Sequence, residues 1–434
     1  MSTISELLKQ IKSLPPGNIY KKNISGKVYY YHQYFINNQR YTRIIDSSEV
    51  SDYLAKIKVR KELEKQLKNI RLSDKKIVLS KTAEKLTGQV MMHDTPVAEF
   101  DNGNLISINN QLAPLVIKRT HSIEEFLKLR MIDMSRTNAR LLKRTLHINE
   151  ADDYKIPLYA YALSITDNYW FKPKKSKLKY QNLIFNNDIY SDTSLNGDTS
   201  YFPHQTKLTP EITTTGSFEK GWKLIKNNWY LYKKGNEKQI FSELFCYKFA
   251  KLMNIPTASY EYDNGNIRSR NFADKYNFEP IASLAGDNDN YDHIFDILLE
   301  INPIIAKQYL KLIFFDAVVN NVDRHNENTG LMRNKITGRI ISLAPNFDNN
   351  LALISTVDKL NVNLNKDGFV SLFLKFYNSN DLVKELYKDI GLPDITKEDI
   401  KEATKDIPIM REDIDEIIDV ISIRYNYLKS IISK

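Results

Sequence analysis

Cysteine is almost missing from this sequence: Cys246 is the single one in 434 residues. That excludes an intrachain disulfide framework and any multi-cysteine zinc site. Cys246 falls in an amphipathic helical pattern, where it is expected as a small buried apolar side chain. No apolar run approaches the roughly 18 residues that a membrane-spanning helix requires. The opening MSTISELLKQ lacks the basic start and apolar core of a secretory leader. We therefore expect a cytoplasmic protein without a membrane span. Neither sign of charge dominates. Lys plus Arg number 62 and Asp plus Glu 53, a net charge of +9, which permits contact with phosphate or nucleic acid without demanding it. The length suits two or three domains rather than one core.

What is present is concentrated in one stretch, Phe315 to Asp348, FDAVVNNVDRHNENTGLMRNKITGRIISLAPNFD. An apolar helical run, Ile305 to Val318, leads into it and ends at Asn321. Asp323, the basic pair Arg324 and His325, and Asn328 follow. After a turn-rich segment comes a short apolar strand, Arg339 to Leu343, and then a second carboxylate, Asp348. These residue types suit phosphoryl transfer. Asp323 can orient and deprotonate an attacking hydroxyl. The amide oxygen of Asn328 and the carboxylate of Asp348 are hard ligands for magnesium on a nucleotide triphosphate. A hairpin between them brings both onto one edge. Arg324 is read as organising the loop or bonding a carbonyl, and His325 as structural. The competing reading is that Asp323 and Asn328 are polar residues of a surface turn.

Upstream, Thr213-Thr214-Thr215-Gly216-Ser217 precedes two strands, Trp222 to Ile225 and Trp229 to Lys233. Such a loop can set backbone N–H groups against phosphate oxygens, although it is neither a Walker A loop nor a G-x-G-x-x-G. A helix from Glu237 to Met253 follows. Ala258 to Tyr262 and Asn266 to Arg270 read as a hairpin around Asn264-Gly265. Phe278-Glu279-Pro280 leads into a helical region with further helices at Tyr291 to Glu300, Leu382 to Tyr387, Lys397 to Thr404 and Arg411 to Ile432. Ile414, Ile417, Ile418, Ile421 and Ile423 are expected on the inner side of the last.

The first 75 residues form a separate module. Ile4 to Ile11 is a short helix stopped by Pro15-Pro16-Gly17. Asn18 to Ile45 reads as a hairpin or three-stranded meander with Asn37-Asn38 as a turn. Val50 to Ile70 is a charged helix with Leu54, Ile57, Leu63 and Leu67 on one stripe. Tyr20, Tyr29, Tyr30, Tyr31, Tyr34 and Tyr41 interleave with Lys21, Lys22, Lys27, Arg40 and Arg43. Three readings stand: a small sheet packing its tyrosines on the helix, a nucleic-acid surface, or a protein-interaction module. Helix-turn-helix and zinc-finger signatures are both lacking. Between the modules, a new pattern starts at Lys75 to Leu86, and Phe100 to Ile117 reads as a small sheet turning at Asp101-Asn102-Gly103. Ser122 and Glu125 signal a helix through Met131. Arg136 to Leu146 reads as a basic helix, and Ser164 to Pro173 as a strand leaving a polar turn, with Tyr169 and Trp170 as packing residues. Residues 181–210 are an ordered connection or a mobile loop.

Asp323-Arg324-His325-Asn326-Glu327-Asn328, with Ala344-Pro345-Asn346-Phe347-Asp348, resembles the HipA-like kinases and, more distantly, the phosphoinositide 3/4-kinases. SITDNYWFKP resembles a segment ahead of the kinase core in one branch of the HipA-like group. The resemblance covers roughly residues 160 to 434. It departs from protein kinases in having no glycine after Asp348, and residues 1–75 match no motif of the HipA N-terminal domain. The resemblance implies an α+β, bilobal protein-kinase-like fold, to which the residue patterns add the small β-rich N-terminal module. Its parts are an accessory module (1–75), an intermediate region (76–210), a nucleotide-binding N-lobe (211–280) and a helical catalytic C-lobe (281–434). It implies that Asp323 is catalytic and that Asn328 and Asp348 hold metal. It further implies that Gly216 and Ser217 flank the nucleotide and that Lys233 contacts its phosphates. Glu243 then steadies Lys233, or is simply a glutamate favoured by the helix dipole. Ser217 is the nearest equivalent of a self-modified serine. The implied cofactors are ATP and Mg2+. The implied activity is Ser/Thr phosphorylation of a protein substrate, with a lipid or small-molecule kinase, or an inactive kinase-fold scaffold, as the alternatives.

Overall fold

A computed structural model describes residues 4–36, 39–73, 86–200, 207–357, 360 and 363–433. The chain divides into two units. One comprises Met1–Ile77 with the short segments Asn186–Ile189 and Leu224–Asn227, and the other holds the remainder. Among the described residues no helix is long and apolar enough to cross a membrane.

The first unit is α1 (Ile4–Lys12), the meander β1 (Asn18–Ile24), β2 (Lys27–Ile36) and β3 (Gln39–Ile45), and α2 (Val50–Ser73). The strands pair antiparallel in the order β1-β2-β3, with Tyr20 opposite Tyr31 and Tyr34 opposite Tyr41. The expected Asn37-Asn38 turn lies outside the described residues, as does most of Lys75 to Leu86. Leu7, Ile11, Ile45, Ile57 and Leu67 are buried in this unit. Leu54 is half exposed and does not belong to the stripe expected for α2. Arg60 joins the helices by donating to the carbonyls of Ile11 and Leu14 at the end of α1. Successive strand residues alternate between faces, so the tyrosines divide. On one face Tyr34 stacks on the exposed Tyr41 and lies beside the buried His32, and on the other Tyr20, Phe35 and Ile44 are exposed.

The second unit is mixed α and β. It begins with β4 (Gly88–Met92), β5 (Thr95–Asp101), β6 (Asn104–Ile108), α3 (Leu115–Thr120), α4 (Ile123–Lys128), α5 (Ala139–Thr145) and β7 (Tyr169–Pro173). Its first sheet has the order β6-β5-β4-β7. The expected sheet over 100–117 ends early, because Leu115 to Thr120 is helical. Those apolar residues are buried, and the first N–H of the helix donates to Glu279 at 2.6 Å. Tertiary burial here overrides the β preference of Val116 and Ile117. Ser122 caps α4 by accepting from the Glu125 N–H. Of the segment 181–210, the described residues form an ordered connection with buried Leu183, Phe185 and Leu195, the last on α6 (Ser191–Asn196).

Next come β8 (Lys220–Ile225), β9 (Asn228–Lys233), α7 (Glu237–Leu252), β10 (Tyr260–Asp263) and β11 (Asn266–Arg270), whose strands form a sheet in the order β10-β11-β9-β8. The two hairpins turn on Lys226-Asn227 and Asn264-Gly265, each pair with positive φ at both positions. That geometry matches the right-handed twist of the strands. A third sheet is β12 (Tyr276–Pro280), β13 (Gly330–Asn334) and β14 (Ile340–Leu343). Between and after them lie α8 (Ala282–Ala285), α9 (Tyr291–Ile301), α10 (Pro303–Val319), α11 (Gly368–Ser379), α12 (Asp381–Lys388), α13 (Lys397–Thr404) and α14 (Ile414–Ile432). One hydrophobic cluster runs from α7 through α9 and α10 to α14 and includes Cys246. In it Phe249 stacks on Phe315 and meets Tyr425 edge-on, both at 6.0 Å. Ile417, Ile418 and Ile421 of α14 are buried as expected, while Ile423 is half exposed. Two residues span about 200° of a helix, so positions 421 and 423 face opposite ways. Fully buried Arg424 donates to the carbonyls of Ala317 and Val318 and pairs with Asp367, fixing the end of α10.

Candidate active site

α10 stops at Asn320, whose left-handed φ of 54° turns the chain out of the helix. The next residues are gathered by Arg324. Its guanidinium makes a two-pronged bond to Asp316, at 2.8 and 3.0 Å. It also donates to the carbonyls of Asn328 and Phe347 and to the side chains of Asn346 and Asn349. Arg324 thus both organises its own loop and bonds carbonyls, and it ties that loop to the segment carrying Asp348. Its side chain and that of Asp316 are each 3 % exposed. Asp316 escaped the sequence reading because a carboxylate on an apolar helix gives no local sign of its partner eight residues on.

The β13–β14 hairpin returns the chain to the loop. Gly330 at its start is required: a Cβ there meets the Phe278 ring at 2.2 Å. Asn328 donates its amide to the Asp323 carbonyl at 2.9 Å, which leaves Oδ1 without a hydrogen bond among the described residues. Asp348 adopts φ 60°. Its N–H donates to the Tyr260 hydroxyl at 3.0 Å, and its carboxylate accepts from Lys233 at 2.5 Å. Lys233, at the end of β9, also donates to Glu243 of α7 at 2.9 Å. The other oxygen of Glu243 accepts from the Asn349 N–H at 3.0 Å. Neighbouring Lys234, one residue past the end of β9, is exposed.

These contacts set the charges. Burial opposes ionisation of Asp348, but Lys233 and Lys220 outweigh it and hold the carboxyl well below the usual range. Burial likewise opposes the charge on Lys233, and Asp348 and Glu243 more than restore it, raising its pKa. Asp323 is pushed up by burial, helped by the charge of Asp348 and opposed by His325 and Arg324. Lys220, at the start of β8, is pushed down to about 7, chiefly by burial, with Arg136 and Lys233 adding to the fall and Asp348 resisting it.

A cavity of about 210 Å³ collects the set: Gly216, Ser217, Lys233, Asp323, Asn328 and Asp348 all line it. Glu243 lies behind Lys233 rather than on the wall. Apolar Val116, Leu231, Ala258, Phe278 and Phe347 line another part. The sequence reading missed Lys220. It is 5 % exposed, it lines the cavity, and its ammonium makes no hydrogen bond or ion pair among the described residues. A Cβ on Gly216 would meet the Lys220 ammonium and displace that flexible end, and the φ of 89° at Gly216 disfavours a side chain there in any case. The available signal was a lysine opening a buried strand just after the loop. Arg130 and Asp167, a buried pair at 2.6 Å on the cavity wall, were also missed. Tyr169 and Trp170 are fully buried packing residues. His325 is exposed and accepts the Glu327 N–H within its own loop. Among the described residues no group of three or more His, Cys, Asp or Glu forms a metal cage.

The chain matches no protein-family model, and no curated protein matches it. Two solved structures are distantly similar. The Helicobacter pylori proinflammatory kinase CtkA has 18% identity and a TM-score of 0.41, covering 49% of this chain and 92% of that one. A chain of the Shewanella oneidensis MR-1 toxin–antitoxin complex of HipA, HipB and operator DNA has 11% identity and a TM-score of 0.49, covering 79% of this chain and 97% of that one.

Proposed function

We propose that the chain is an ATP- and magnesium-dependent phosphotransferase of the HipA-like class that phosphorylates Ser or Thr of a protein. The observation that carries this reading is one cavity walled by two buried lysines, a carboxyl of raised pKa, an amide oxygen and an ionised carboxylate. Residues 211–280 are then the nucleotide-holding part and 281–434 the catalytic part of a bilobal arrangement. Residues 76–210 lead into it, and 1–75 are accessory.

The donor set fits magnesium. Asn328 Oδ1 and the carboxylate of Asp348 are hard oxygens, and two such ligands leave positions for phosphate oxygens and water. Asn328 and Asp348 would hold the ion, which would supply positive charge against the phosphates. In this reading Lys233 exchanges its bond to Asp348 for a phosphate oxygen while Glu243 keeps it in place, and Lys220 adds a second cation beside Gly216. Asp323 takes the proton of the acceptor hydroxyl as that oxygen bonds to the γ-phosphorus. The bond from the γ-phosphorus to the β–γ bridging oxygen breaks, and ADP leaves. The raised pKa of Asp323 suits proton acceptance. Ser217, exposed at the loop, is the proposed self-modified serine. Full-length protein with labelled ATP and magnesium is expected to transfer label to protein, and D323N to lose that transfer. Absence of ATP binding by calorimetry, or equal transfer by wild type and D323N, overturns the reading.

A further inference from the structure

Arg136 was expected on a basic helix, but α5 begins at Ala139 and Arg136 precedes it, 1 % exposed. Its guanidinium donates to the carbonyls of Thr214 at 2.5 Å, Thr215 at 3.2 Å and Gly216 at 3.2 Å, and to Ser194 Oγ at 3.4 Å. Thr213 and Thr214 have further anchors. The Thr213 hydroxyl donates to Leu163 and Pro210 carbonyls, and that of Thr214 donates to Pro210 and accepts from the Trp222 indole. From Thr215 to Phe218, by contrast, the bonds from Arg136 are the hydrogen bonds that hold the loop among the described residues.

The geometry has a consequence for the opposite face of the loop. In a trans peptide the C=O of one residue and the N–H of the next point in opposite directions, and the described chain has no cis peptide. Three carbonyls drawn to Arg136 therefore turn the N–H groups of Thr215, Gly216 and Ser217 away from it. Arg136 does not line the cavity, whereas residues Thr213 to Phe218 do. Those three N–H groups make no hydrogen bond among the described residues. Successive unpaired N–H groups in a concave turn form an anion site.

We propose that Arg136 is a positioning residue that orients the Thr215–Ser217 peptides as a preformed nest for the phosphates of the nucleotide. The inference rests on the ATP reading of the cavity. Burial pushes the Arg136 pKa down to about 10, with Glu211, Asp133 and Glu219 resisting, so the guanidinium keeps its charge at neutral pH. It therefore adds a positive field behind the nest.

The test compares adenosine and a non-hydrolysable ATP analogue with magnesium on full-length wild type, R136K and R136Q. Adenosine reports the apolar part of the cavity, and the analogue adds the phosphates. For R136Q, analogue affinity is expected to fall by at least about tenfold while adenosine affinity stays within about twofold. R136K, which keeps the charge with fewer donors, is expected to fall between. Equal loss for both ligands in R136K, or no loss for the analogue in R136Q, overturns the proposal. A second measurement needs no variant. In the wild type, hydrogen exchange of the peptide covering 213–219 is expected to slow with the analogue and not with adenosine. Unchanged exchange in a protein that binds the analogue overturns the nest alone, whereas a wild type that binds no analogue overturns the ATP reading and this inference with it.

Discussion

Lys220 supplies the most quantitative prediction. Its pKa falls from an ordinary 10.5 to about 7 in the folded chain. At about 1.36 kcal/mol per pKa unit, holding this lysine as a cation in the fold costs about 4 kcal/mol near neutrality. The sign follows from proton counting. Between about pH 7 and 10.5 the unfolded chain binds more protons at this site, so its contribution makes stability rise with pH there. K220M removes the group, and without nucleotide it is expected to be more stable than wild type at pH 7 by about 3–5 kcal/mol. A phosphate binding beside Gly216 reverses the balance, because it favours the charged form. Above pH 7 the wild type should then take up close to one proton per ATP bound, and its affinity should fall by up to about tenfold per pH unit. Calorimetry in two buffers of different ionisation enthalpy counts that proton, and urea melts measure the stability. Lower stability of K220M at pH 7, or the same proton uptake in K220M as in wild type, refutes the reasoning.

Other substitutions separate the roles within the cavity. D323N is expected to lower turnover by about 10²–10⁴-fold with little change in nucleotide affinity, measured by labelled-phosphate transfer and calorimetry. D348N is expected to raise both the magnesium requirement and the nucleotide Kd, checked by a magnesium titration of activity. R324M leaves Asp316 buried without its partner and is expected to cost about 3–5 kcal/mol, read from denaturant melts of the full chain. For the first unit, no acidic residue occurs between Asn18 and Ile45. If this sheet serves as a nucleic-acid surface, full-length protein should retard RNA or DNA in a strongly salt-dependent way. Retention unchanged by K22E together with R40E counts against it.

The sequence by itself determined the elements whose signals are local. The hairpin turns at Asn102-Gly103 and Asn264-Gly265, the end of α1 before Pro15-Pro16, the cap at Ser122 and the buried site of Cys246 follow from backbone preference or apolar spacing. That Asp323, Asn328 and Asp348 come to line one cavity was expected from their spacing around a hairpin, and the roles given to them there are part of the proposal. Tertiary structure alone decided what depends on distant partners. β13 is short and opens with a glycine, and it becomes a strand by pairing with β12 across some fifty intervening residues. Leu115 to Ile117 became helix because burial and the Glu279 carboxylate reward it there. Arg136 and Arg424 are indistinguishable in sequence from surface arginines, and Arg324 was legible as the organiser of its loop but not as the partner of Asp316. Each is buried only because the folded chain presents carbonyls or a carboxylate to it. Lys220 is similar: its spacing from Gly216 was visible, but its depressed pKa arises from desolvation, which exists only once the cavity has closed around it.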